Sequence, residues 1–264
     1  MRHYFLGVLK RKNDSHKGDN GKVMIIGGSP LFHGAPILCS LAAEYSGVDL
    51  IYPFLAPSQI EAAKTHSLNF ILHSFKEEVL SPKDVKPILT FSRQVDCVVI
   101  GPGLGTATKT KTAIKSLLSH LEAPTVVDAS ALMYTNHLPK VCVLTPHRRE
   151  FLSMTGDDPT PKNVQKWSKN LKATIVCKGP EDIIADNDEI AINNTGNALM
   201  TVGGTGDVLS GFIGGLMAQG ATPFDAGKYA TRILGLIAEN LAEMEGSLRA
   251  IDLAQSIPGA ILKM

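Results

Sequence analysis

The chain has 264 residues, 44% hydrophobic and 19% charged, with Lys+Arg 26 against Asp+Glu 25 for a net charge of +1. That composition supplies a full core and excludes disorder, and the near-neutral balance excludes a global field for nucleic acid or anionic membrane, so any anion site is local. Cys39, Cys97, Cys142 and Cys177 lie far apart in apolar segments with no Cys-x-x-Cys pair, a pattern of buried thiols in a reducing, cytoplasmic compartment that excludes a disulfide frame or zinc site.

At the start, the apolar run 4–9 between Arg2 and Lys10 is too short for a secretory core or a membrane span, and the Gly-interrupted run 208–218 also falls short of spanning. Further along, short β-branched runs alternate with helical periodicity. Strands are expected over 22–26, 48–54, 96–100, 125–127, 141–144 and 174–177, apolar on both faces as buried parallel strands are. Helices over 35–45, 57–64, 82–89, 109–121 and 161–171 fall between them. The alternation predicts an α/β fold with a doubly wound, mainly parallel sheet covered on both faces, a single domain over 1–264. The runs 183–185 and 189–192 around Asp186-Asn187-Asp188 predict a late antiparallel hairpin. Helices over 207–219, 223–244 and 249–256 then form a closing layer.

In such sheets sites gather at the carboxyl ends of parallel strands. There stand Gly27-Gly28-Ser29, Gly101-Pro102-Gly103-Leu104-Gly105, Asp128, Thr145-Pro146-His147 and Lys178-Gly179. Asp128 reads equally as a helix N-cap. Thr145 to Glu150 reads either as a helix start with Pro146 at its first position, or as an imidazole and a carboxylate for substrate and hydrated magnesium. The loop from Lys178 to Asp182 has room to wrap an adenine or ribose. His3, His16, His33, His66, His73, His120 and His137 show no metal-ligand spacing.

The most informative stretch is Gly203-Gly204-Thr205-Gly206-Asp207 before an apolar helix. Glycines let backbone N–H groups close on an anion, the helix dipole favours negative charge, and Asp207 stands beside it as a base. The alternative is a tight turn with Thr205 and Asp207 as ordinary caps. The dipole also favours the carboxylate form, so Asp207 is expected ionised at pH 7 and a weak base.

Together with Lys17-Gly18-Asp19-Asn20-Gly21 and Gly34-Ala35, these motifs resemble, in order and over most of the chain, the ADP- or ATP-dependent NAD(P)H-hydrate dehydratases of the ribokinase-like superfamily. The resemblance implies a ribokinase-like fold and repair of hydrated NADH or NADPH. It implies Asp207 as the catalytic base and Ala35, Gly103, His147 and Asp207 as substrate contacts. Lys178, Gly179, Pro180, Glu181, Asp182 and Gly206 become nucleotide contacts, Gly203, Gly204, Thr205 and Gly206 an anion hole, and Glu150 a magnesium ligand through water. The co-substrate is ADP or ATP with Mg2+, a homo-oligomer is expected, and the natural companion is an epimerase on a separate chain, since this chain begins close to its first motif. Arg149, Ser130 and Pro180-Glu181-Asp182 depart from the family pattern. The competing readings are an ATP-dependent small-molecule kinase of the same superfamily, acting on a hydroxymethylpyrimidine, thiazole alcohol or pyridoxal-like substrate, and a nucleotide-sensing module without catalysis.

Overall fold

Strands β1 (Lys22–Ile26), β2 (Leu50–Leu55), β3 (His73–Ser74), β4 (Cys97–Ile100), β5 (Thr125–Val127), β6 (Cys142–Leu144) and β7 (Thr174–Cys177) pair in parallel in the computed structural model, which describes residues 11–263. The hairpin β8 (Asp182–Asp186) and β9 (Glu189–Asn193) adds antiparallel, giving a nine-stranded sheet of order β3-β2-β1-β4-β5-β6-β7-β8-β9. The apolar run 4–9, its flanks Arg2 and Lys10, and His3 lie outside the described residues.

Because successive strand side chains point to opposite faces, the buried strands divide the core in two. Val23, Ile25, Val99, Val126, Val143 and Val176 face α1 (Gly34–Tyr45), α7 (Thr205–Ala218) and α8 (Pro223–Glu245). Met24, Ile26, Val98, Ile100, Val127 and Leu144 face α3 (Pro82–Ser92), α4 (Thr108–His120), α5 (Arg148–Thr155) and α6 (Pro161–Leu171). Short helices α2 (Ile60–Lys64), α9 (Ala250–Gln255) and α10 (Ile257–Lys263) complete the layers. No helix among the described residues is long and apolar enough to cross a membrane.

The placement of α7 sets up the site. A Cβ on Gly211 would stand 2.0 Å from the Cys39 carbonyl oxygen, and one on Gly214 2.5 Å from Val99 Cγ2. Only bare backbone lets α7 wedge between α1 and β4, with its first turn at the carboxyl rim of the sheet.

Several boundaries differ from expectation. β2 starts at Leu50 because Asp49 is still in the preceding turn, its carboxylate accepting the Gly18 and Asn20 N–H groups at 2.8 and 3.0 Å. Strand β3 and a 3-10 segment at Ala129–His137 were not expected, the first being too short to show a period. The helix expected over 249–256 runs only from Ala250 to Gln255, capped by Ser256, and α10 follows it.

Candidate active site

The five strand ends do meet on one rim. After β4, Gly101 takes φ +127° because a Cβ there would lie 1.8 Å from the Asp128 carbonyl oxygen, so the loops after β4 and β5 touch backbone to backbone. The turn after β1 is joined to the β4 loop by Gly28 N–H to the Pro102 carbonyl, 2.8 Å, and Ser29 Oγ to the Gly103 carbonyl, 2.7 Å. Ala35 Cβ lies 3.2 Å from where a Gly103 Cβ would be, so Ala35 and Gly103 form one small-residue wall.

Helix α7 begins at Thr205, two residues earlier than expected, with Gly204 as N-cap at φ +101° and no side chain capping it. Thr205 Oγ1 is spent on the Met200 and Val202 carbonyls, at 2.8 and 3.2 Å, so the capping alternative for this turn is overturned and its first-turn amides are left for another acceptor. Asp207 stands third in the helix, partly buried.

Asp128 is also no cap: it makes no side-chain bond to the 3-10 turn that follows it. Its Oδ1 accepts Thr145 Oγ1 at 2.8 Å and the Lys178 ammonium at 3.2 Å, with the Asp128 residue 3% exposed. Lys178 Nζ in turn lies 3.1 Å from the position of a Gly206 Cβ, at the first turn of α7. The pairing of Asp128 and Thr145 with Lys178 is the part of the site that sequence reading missed; the signal was that all three close neighbouring strands, β5, β6 and β7.

Burial, followed by the Asp128 carboxylate, pushes Asp207 up to about 7, with Lys178 pulling the other way. The expected weak base is thus corrected: desolvation and a like charge outweigh the helix dipole, and Asp207 titrates near neutrality. For Lys178 burial acts against the ammonium, but Asp128, Glu150 and Asp207 outweigh it and hold its pKa above the ordinary lysine value.

Pro146 is not the first residue of α5, which starts at Arg148 behind His147 as N-cap. His147 Nδ1 accepts the Arg149 and Glu150 N–H groups, both at 3.1 Å, and Glu150 Oε2 accepts the His147 N–H at 2.8 Å. With Nδ1 an acceptor, the neutral ring carries its proton on Nε2, a donor on a half-exposed side chain. Arg149 enters this cap by its backbone N–H alone, so its departure from the family pattern leaves the cap geometry intact. The Lys178 N–H to Pro146 carbonyl bond, 2.8 Å, ties this corner to β7.

In the 178–182 loop, the Asp182 carboxylate turns inward to the Gly179 N–H and the Asn193 amide, both at 3.1 Å, and burial raises its pKa. Gly179, Pro180 and Glu181 stay exposed, without a bond to the Asp207 cluster. Among the described residues no three His, Cys, Asp or Glu side chains converge on a metal cage. The Lys178 ammonium is bonded to Asp128, with Glu150 and Asp207 acting on it through space, and Glu150 Oε1 makes no capping bond, which leaves it available to a divalent cation carried in on phosphates.

Comparison with known proteins places this geometry. The chain is 37% identical to a bifunctional NAD(P)H-hydrate repair enzyme of Hyperthermus butylicus, across 96% of this chain and 51% of that one, so it spans about half the length of that relative. It is 34% identical to an ADP-dependent (S)-NAD(P)H-hydrate dehydratase of Cenarchaeum symbiosum, across 96% and 93%. Its fold superposes with a TM-score of 0.83 and 26% identity on an ADP/ATP-dependent NAD(P)H-hydrate dehydratase of Bacillus subtilis co-crystallised with ATP/Mg2+, covering 100% of this chain and 97% of that one. The architecture is ribokinase-like. With the family model for NAD(P)H-hydrate dehydratase matching residues 23–259, the chain belongs to that family.

Proposed function

We propose that this chain dehydrates hydrated NADH or NADPH at the expense of ADP or ATP, with Asp207 as the catalytic base. The observation that carries the reading is the side-chain-uncapped first turn of α7, with Lys178 beside Gly206 and a carboxylate titrating near neutrality two residues into the helix. Amides and ammonium meet phosphate, and the carboxylate meets the alcohol.

Asp207 takes the proton of the C6 hydroxyl as that oxygen bonds to the terminal phosphorus and the nucleotide's bridging P–O bond breaks. The ring nitrogen lone pair then expels phosphate by breaking C6–O, and loss of a C5 proton restores the dihydronicotinamide. Phosphoryl transfer asks mainly for alignment and charge neutralisation, which Gly203 to Gly206 and Lys178 supply. Magnesium, held by the nucleotide and by Glu150 through water, would add charge neutralisation. Ala35 and Gly103 line a close approach for the dinucleotide, and His147 Nε2–H is its donor. Gly179, Pro180 and Glu181 meet the adenine nucleotide through their backbone, while Asp182 shapes the loop. The four buried thiols suit a cytoplasmic setting, and an epimerase is the companion activity.

Purified protein with hydrated NADH, Mg2+ and either ADP or ATP is expected to restore dihydronicotinamide absorbance with release of free phosphate. A stable phosphorylated product would select the kinase reading, and nucleotide binding without turnover the sensing module.

A further inference from the structure

Thr145 and Asp128, both buried, and Lys178, whose side chain is 20% exposed, form a polar chain reaching from strands β5, β6 and β7 to the first turn of α7. Its middle member is held on every side. A Cβ on Gly101 would collide with the Asp128 carbonyl oxygen, Ala129 directly after it takes φ +48°, and Thr145 fixes the carboxylate oxygen that meets the ammonium. A left-handed conformation is uncommon for alanine and persists where its surroundings over-determine it. An ion pair with a buried carboxylate is poor value for stability alone, because desolvating that charge offsets much of the attraction.

The arrangement has a consequence for Asp207. Without a partner of its own, the Lys178 ammonium would be drawn wholly to the Asp207 carboxylate and quench it as a base. Resting on the fixed Asp128 oxygen, it stays beside Gly206, where a phosphoryl oxygen would arrive. We propose that Asp128 is a positioning residue for the reaction, holding the Lys178 ammonium at the mouth of α7 between the incoming phosphoryl group and Asp207. This rests on the dehydratase reading above.

The charged groups that face Asp207 are Asp128 and Lys178, while Glu150 acts on Lys178. The Cys39 thiol on α1 is also an electrostatic neighbour, but burial keeps it protonated. The two substitutions that break the pair therefore act on Asp207 with opposite signs. Asp128→Asn removes a like charge, and Lys178→Met removes an opposite one.

The test is the pH dependence of kcat/KM for hydrated NADH with Mg2+ and ATP or ADP, with thermal melts of each protein. The acid limb of Asp128→Asn is expected to move down by about one pH unit and that of Lys178→Met to move up by about as much. Asp128→Asn should also lose turnover about tenfold or more, through the weaker base and the released ammonium. A purely structural role would lower the melting temperature and leave the limbs in place; unmoved limbs, or two shifts of the same sign, overturn the proposal. Should Asp128→Asn fail to fold, the Lys178→Met limb decides alone, upward in support and otherwise against. A wild-type protein without turnover overturns the dehydratase reading and this inference with it, whereas an active wild type with unmoved limbs overturns this inference only.

Discussion

At Gly27, Gly28, Gly101 and Gly103 the space a side chain would take is filled by the Pro102 carbonyl, Gln59, the Asp128 carbonyl and the Phe32 carbonyl, at 2.5, 2.0, 1.8 and 2.7 Å respectively. At the other glycine-rich corner a Cβ on Gly204 would crowd Leu38 and Ala250, at 2.6 and 2.9 Å, but nothing lies within 4 Å of one on Gly203, and on Gly206 it would meet only the tip of Lys178. The first set admits neighbouring backbone and the Gln59 side chain; Gly203 and Gly206 leave amides bare toward open space and a cation. The same residue type therefore does packing work on one side of the rim and presents ligand-binding groups on the other.

Four substitutions and conditions bear on that contrast. Asp207→Asn is expected to lower kcat by ~10²–10⁴-fold while nucleotide binding persists, which steady-state kinetics and calorimetry measure together. Gly101→Ala forces a Cβ into the Asp128 carbonyl at a positive φ and should cost about 3 kcal/mol or more of stability in denaturant titration. Gly203→Ala should leave stability within about 0.5 kcal/mol yet weaken nucleotide binding about tenfold, because its Cβ stands in the open space through which a phosphate reaches the amides. If the two alanine variants behaved alike, the contrast between the corners would fail.

The smallest effect is on stability against pH. The folded pKa of Asp207 is raised from 3.8 to about 7, so its favourable contribution is present below pH 4 and lost as pH rises through 7. Asp207→Asn cannot ionise and escapes that loss. Its melting temperature relative to wild type should rise from pH 5 to pH 8, by on the order of 2 °C. An unchanged difference between the two pH values would place Asp207 in water.

What lay in the sequence was everything local. Apolar runs bounded by turn residues marked β1, β4, β5 and β7 to within a residue, since a strand buried on both faces needs an unbroken apolar stretch. The Asp186-Asn187-Asp188 turn marked the hairpin, and the order of glycine turns marked the rim. Tertiary structure alone decided which charge faces which. Asp128 reads as a cap until β6 and β7 bring Thr145 and Lys178 to its carboxylate, at separations of 17 and 50 residues that no periodicity connects. The same holds for Asp207: a helix dipole is visible in a few adjacent residues, but burial between α1, the sheet and a second carboxylate comes from distant segments, and at that site burial is the larger force.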